Sequence, residues 1–110
     1  MFRVTVQIHG KVTILHCEGR LVTDDDNALL RTAALSYADA GTTVLDLAQV
    51  DSIDAGGFGQ LLDLSTWSRA NGTQLKLINV TRRVREVLEL TNLDRILEVG
   101  SGAEADSMVA

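Results

Sequence analysis

Two β-rich runs fill the first seventeen positions, with apolar and polar residues alternating in the first of them, and the pattern then shifts to helical spacing. The chain therefore reads as a hairpin followed by strands and helices in turn. Two runs rich in β-branched residues, Phe2 to Ile8 and Lys11 to Cys17, flank His9-Gly10, and Val4, Val6 and Ile8 alternate with polar neighbours. This predicts two antiparallel strands joined by a two-residue turn at His9-Gly10. After Glu18-Gly19-Arg20-Leu21, Thr23 is a candidate N-cap, and Asp24, Asp25 and Asp26 fill a first helical turn. Negative charge there suits the helix macrodipole. Leu29, Leu30, Ala33, Ala34 and Tyr37 form the apolar face of that helix, and Gly41 ends it.

A strand is predicted from Thr43 to Leu47, then a loop, then a helix capped by Asp54 that carries Phe58, Leu61, Leu62 and Ser65 on to about Ala70. Asn71-Gly72 makes a turn before a strand from Gln74 to Ile78. Asn79 and Thr81 introduce a helix bearing Val84, Val87 and Leu88, and Arg95 to Val99 reads as a last short strand. Gly100-Ser101-Gly102 loosens the chain before a weak terminal helix, Ala103 to Ala110. The hairpin requires antiparallel pairing, and the strand-helix-strand units require parallel neighbours joined by right-handed crossovers. One α/β domain spanning 1–110 follows, with a mixed sheet of about five strands and helices packed on it.

The start of the second long helix is unusual because Gly56, Gly57 and Gly59 fall within its first turns. Glycine in a helix costs roughly 1 kcal/mol relative to alanine. Two compatible needs offset such a loss: close packing of the helix on the sheet, or approach of a partner to bare backbone amides.

Composition narrows the function. The chain has 110 residues, 45% of them apolar and only 4% aromatic, so its single core is built from Leu, Val, Ile and Ala. No apolar run approaches the ~20 residues of a membrane span. Arg3, Gln7 and His9 interrupt the apolar residues near Met1, unlike a signal peptide, which makes the cytoplasm the expected location. Cys17 is the one cysteine, which excludes an intramolecular disulfide, and its expected role is to fill strand space. A net charge of −5 argues against binding nucleic acid and in favour of a protein partner. A homodimer is compatible with the sequence.

Catalysis lacks its parts. His9 and His16 read as a turn residue and a strand-face residue, with no nucleophile assigned to either. Asp46, Asp51 and Asp54 lie in a strand, a loop and a helix cap, which is poor spacing for a metal. Asp54 also puts negative charge where a phosphate would sit, and no Gly-Lys-Ser/Thr follows the glycines. No enzyme activity, metal or cofactor is expected. Arg82, Arg83 and Arg85 oppose the macrodipole at the start of their helix and read as a solvated face, or as a basic patch for an acidic partner.

Several segments in order, Gly19-Arg-Leu, Val44-Leu-Asp-Leu-Ala, Asp54-Ala-Gly-Gly-Phe-Gly59, Gly72 before a Leu-rich strand, and Val87-Leu-Glu-Leu-Thr-Asn-Leu93, resemble the STAS domain of bacterial anti-sigma factor antagonists. In that family a strand ends in Asp-Ser-Ser-Gly-Leu-Gly. The resemblance implies the STAS fold and the capture of an anti-sigma factor or related histidine-kinase-like ATPase, which regulates transcription. An alternative is a subunit of another assembly, such as a lipid-transporting ABC system. The second serine of the family loop is the one that the partner kinase phosphorylates, and it falls on Gly56, with Ala55 before it. Ser52 lies two residues ahead of Asp54 and so outside the register. The acidic residue common in the family after Gly-Glu-Leu is replaced by Val22, with Asp24 and Asp25 nearby. A binding module without the covalent switch is therefore expected. Its docking residues are expected in Ser52, Asp54, Ala55, Gly56 and Gly57, with Phe58 divided between surface and core, and in the turn from Leu21 to Asp24.

Overall fold

The first hairpin closes one position later than the sequence predicts. In the computed structural model, which describes residues 1–37, 41–101 and 103, β1 spans Arg3–His9 and β2 spans Val12–Leu21. His9 pairs with Val12, so Gly10-Lys11 is the turn. Gly10 has φ +60° and Lys11 is not among the residues with positive φ, which is the type II′ arrangement that needs glycine first. That requirement draws His9 into the strand.

β2 also continues past Cys17, where Glu18-Gly19 reads as a strand end. Its pairing with β3 (Thr42–Ile53) slips between His16 and Glu18 and again between Gly19 and Arg20. Such irregularities let a strand absorb extra residues without ending. Gly19 has φ +108°, and a Cβ there would collide with the carbonyl of Met1, so the glycine marks a close backbone crossing. β3 is correspondingly longer than the predicted Thr43 to Leu47. Asp46 holds its irregular stretch by accepting the Ala48 N–H at 3.1 Å.

α1 spans Asp24–Ser36, β4 Gln74–Ile78, α2 Ala55–Ala70 and α3 Arg82–Leu90. The predicted strand at Arg95 to Val99 resolves into a short 3-10 helix, Leu93–Arg95, and β5, Glu98–Gly100. Asn92, at φ 59°, turns the chain between α3 and that helix. Residues 38–40, ahead of the predicted stop at Gly41, lie outside the described residues, as does the predicted terminal helix beyond Ala103.

The sheet order is β1-β2-β3-β4-β5, with β1 antiparallel to β2 and every other pair parallel. Buried residues of α1, α2 and α3 join one cluster, so the three helices share a face, as crossovers of one hand between successive neighbours require. The main core forms beneath them from Leu15, Cys17, Leu30, Leu45, Leu47, Leu61, Leu77, Val84 and Leu88. Leu30 and Ala34 are the buried residues of α1, while Leu29 and Tyr37, predicted on its inner face, are substantially exposed. On the opposite face, Ile14, Val44 and Ile78 form a smaller cluster. Around it run paired polar residues: Arg3 with Glu18, His16 with Asp46, and Lys76 with Glu98.

Candidate functional site

Two helices begin side by side at one end of the sheet, each with its own cap. At α1 the Thr23 hydroxyl accepts the Asp26 N–H at 3.0 Å, while the Asp26 carboxylate accepts the N–H groups of Thr23 (3.0 Å) and Val22 (3.2 Å). This capping box satisfies donors that a helix start otherwise leaves unpaired. Desolvation alone would raise the Asp26 carboxyl, but the hydrogen bonds from Thr23 and Val22 outweigh it and hold its pKa below the ordinary 3.8. Asp26 is thus committed to the cap, which leaves Asp24 and Asp25 as exposed charge.

At α2 the predicted loop shrinks to a single residue. Ser52 and Ile53 complete β3, and Asp54 is the N-cap. Its Oδ1 accepts the Gly57 N–H at 2.9 Å, its carbonyl accepts the Phe58 N–H at 2.9 Å, and its own N–H donates to the Leu21 carbonyl at 3.4 Å. The last bond ties the α2 start to the end of β2.

The glycines divide by role. A Cβ on Gly57 would stand 2.6 Å from both the Leu21 carbonyl oxygen and Ile53 Cγ2. This glycine lets the helix seat on the two strand ends. Its N–H is held by Asp54, so it is not the bare docking position that the sequence suggests, and a bulky residue at 57 would test the fold rather than a docking site. Gly56 is exposed, and a Cβ there would meet only Asp54 Oδ1 at 3.5 Å and Asn27 Nδ2 at 3.6 Å, ordinary contacts. Gly59 has nothing within 4 Å of that point.

The docking residues expected from sequence are therefore split. Asp24, Asp54, Ala55 and Gly56 share an exposed rim, Ser52 is half-buried, and Leu21, Gly57 and Phe58 lie buried beneath. Phe58, at 7% exposure, belongs to the core. Sequence reasoning missed Asn27, Arg31 and Gln60, which line a groove of about 580 Å³ between α1 and α2 that opens at Gly56. Asn27 Oδ1 is buried there without a hydrogen-bond partner. A polar residue one turn into α1 and on the side of α2 was the available signal.

His16 bridges Asp46 (Nδ1 to Oδ2, 2.9 Å) and Gln7 (Nε2 to Oε1, 2.8 Å), and Asn79 donates to Asp46 Oδ1 at 3.2 Å. The sequence reads His16 as a strand-face residue but does not reveal its partner. His9 sits at the end of β1, with its Nε2 2.6 Å from Gln7 Nε2, rather than in the turn. Asp51 lies exposed on β3. Burial and then the nearby Asp46 charge push the Cys17 thiol up to about 12, so it stays protonated and inert. Arg82, Arg83 and Arg85 are exposed on α3, with Arg82 3.4 Å from Glu86 in an open pair of little energetic weight.

Comparison with known proteins places this geometry. A protein from Thermotoga maritima provisionally described as an anti-sigma factor antagonist shares 24% identity, with a TM-score of 0.80 over 96% of this chain and 93% of its own. An anti-sigma factor antagonist from Mycobacterium paratuberculosis shares 21% identity, with a TM-score of 0.79 over 99% and 94%. The Bacillus cell fate determinant SpoIIAA in its phosphorylated form is 18% identical, with a TM-score of 0.67 over 100% of both chains. At these identities the likeness establishes the fold. A family model described as the STAS domain matches residues 3–104, running through every strand and helix from β1 to β5 rather than the Asp54 turn alone. The chain therefore belongs to the STAS domain family.

Proposed function

We propose that this chain is a non-catalytic binding module that captures an anti-sigma factor, or a related histidine-kinase-like ATPase, and so regulates transcription in a bacterial cytoplasm. The rim formed by Asp24, Asp54, Ala55 and Gly56 is its docking edge, with Ser52 at the margin. The observation that carries this reading is the exposure of Gly56 in the first turn of α2, where an added Cβ would make only ordinary contacts with Asp54 and Asn27. In typical family members that position bears the serine whose phosphorylation releases the partner. A phosphate there would add roughly −2 charge beside Asp54 and oppose docking by repulsion and desolvation. With glycine the off-switch has no attachment point, and binding is set by the abundance of the two proteins. No described helix is long and apolar enough to cross a membrane.

Affinity capture from extract of the native cells, followed by mass spectrometry, tests the proposal. An anti-sigma factor or kinase-like ATPase is the expected partner, and its complex should weaken on Asp54→Asn combined with Gly56→Arg in a chain that remains folded. Recovery of an ABC-transporter ATPase instead would favour the other assembly. Incubating the captured kinase, ATP and this chain should leave the chain unmodified; a stoichiometric phosphate on Ser52 would overturn the switchless reading.

A further inference from the structure

Among the described residues β1 forms one margin of the sheet, with β2 beside it and no strand on its other side. In a hairpin closed by a two-residue turn the flanking pair, here His9 and Val12, exchanges both backbone hydrogen bonds, and the pairs then alternate. Arg3, Thr5, Gln7 and His9 consequently face β2 with their N–H and C=O groups. Val4, Val6 and Ile8 direct theirs outward, along the open margin.

Among the described residues that margin lacks three of the usual guards against pairing: a bulge, a proline and a lysine. Its register with β2 is unbroken from Arg3 to His9, so no bulge twists it away. The chain has no proline, and β1 has no lysine. Its one formal charge, Arg3, is drawn sideways onto Glu18 at 3.1 Å. Edge strands of soluble proteins are ordinarily blunted by these devices, and a flat edge without them is a template for another strand. Apolar surface adjoins it on the helix side. Ile8 is 58% exposed, and α1, which lies against β1, adds Leu29 at 44% and Tyr37 at 40%. Leu29 lies on the flank of α1 away from the groove that Ala28, Arg31 and Leu35 share with α2.

We propose that β1 pairs with β1 of a second copy, antiparallel, about a two-fold axis through Val6. The sequence is self-complementary in that register. Val6 faces Val6, Val4 faces Ile8, Thr5 faces Gln7, and Arg3 faces His9, so apolar meets apolar, polar meets polar, and no like formal charges oppose each other at neutral pH. The same register places Val4, Val6 and Ile8 in the hydrogen-bonded pairs, and every outward backbone group of the strand centre gains a partner. A shift by two residues loses one such pair. The axis stands perpendicular to the sheet, which keeps both sets of helices on one face and brings Leu29 and Tyr37 of each copy beside the seam. The interface is isologous, as closed dimers require. It is distinct from the Gly56 rim, so either can fail without the other.

Sedimentation velocity of the full chain from the micromolar to the millimolar range is the test, alongside Val6→Pro and Ile8→Lys. Val6→Pro removes an N–H that points away from β2, a substitution an edge strand tolerates. Ile8→Lys changes an exposed side chain and supplies the comparison should the proline variant unfold. The expected result is a wild-type mass rising from one chain to two, with Ile8→Lys, and Val6→Pro if folded, staying monomeric while keeping the wild-type circular dichroism. A wild type that stays monomeric at the highest concentration overturns the proposal. So does a dimer that persists in folded Ile8→Lys.

Discussion

Replacing Gly57 by alanine should destabilise this protein, although alanine is the better helix former. The added Cβ would stand 2.6 Å from the Leu21 carbonyl oxygen and from Ile53 Cγ2, and 3.2 Å from Leu21 Cγ. One of those neighbours is backbone, fixed by the end of β2 and already accepting the Asp54 N–H. The helix must therefore lift from the strand ends. Overpacking of this kind costs about 1–3 kcal/mol. Alanine returns up to about 1 kcal/mol of helix propensity, less in a first turn than in mid-helix. The balance is a net loss of about 1–2 kcal/mol, or a fall in Tm of roughly 4–8 °C for a domain of this size. Gly59→Ala in the same helix meets nothing within 4 Å, so propensity acts alone and stability should rise by about 0.5–1 kcal/mol. Gly56→Ala, with its nearest neighbours at 3.5 and 3.6 Å, should fall on the same favourable side. Urea unfolding of the three variants at equal m-value reads the signs directly. Gly57→Ala as stable as wild type, or losses shared by all three, would refute the division of the glycines into one packing residue and two open ones.

Thr23→Ala removes the hydroxyl half of the α1 capping box, leaving the backbone N–H of residue 23 to the Asp26 carboxylate, and should cost about 1 kcal/mol by urea unfolding. Hydrogen bonds from Gln74 first and then Lys76, against some desolvation, hold the Glu98 carboxyl below its ordinary 4.5. A carboxylate depressed in the folded state stabilises fully above its unfolded pKa and loses that stabilisation as pH falls through the folded value. Glu98→Gln should therefore weaken the fold at neutral pH, with the deficit vanishing in acid, as thermal melts across the acid range would show. Cys17, buried and with its thiol raised to about 12, should resist a thiol reagent at neutral pH until denaturant unfolds the chain; prompt labelling of the native protein would contradict its placement.

Much of this architecture is legible in local chemistry. Thr23, Asp54 and Thr81 each cap the helix that their side chains suggest, and β4 has the bounds set by the Asn71-Gly72 turn and Asn79. Local signals fail where a distant segment decides. Gly19 reads as a strand end because the carbonyl of Met1, which requires it, lies far away in sequence. β3 runs on through Gln49, Asp51 and Ser52 because β2 is there to pair with it. At the site, spacing marks Gly56, Gly57 and Gly59 as a group but cannot rank them, since what separates them is the position of Leu21. Asn27 escapes notice for the same reason: it meets Gly56 only once α1 and α2 lie together.

The agreement between strand order in the sheet and strand order in the chain bears on how the protein is made. During synthesis the hairpin emerges before the other three strands, and each later strand finds its neighbour already translated, with one helix as the connecting link. No strand must insert between two that have already paired, and the entropic cost of closure stays that of a single crossover at each addition. The nascent chain can thus lengthen its sheet at the side away from β1 as it leaves the ribosome, and the growing border at any moment is the one the next strand will occupy.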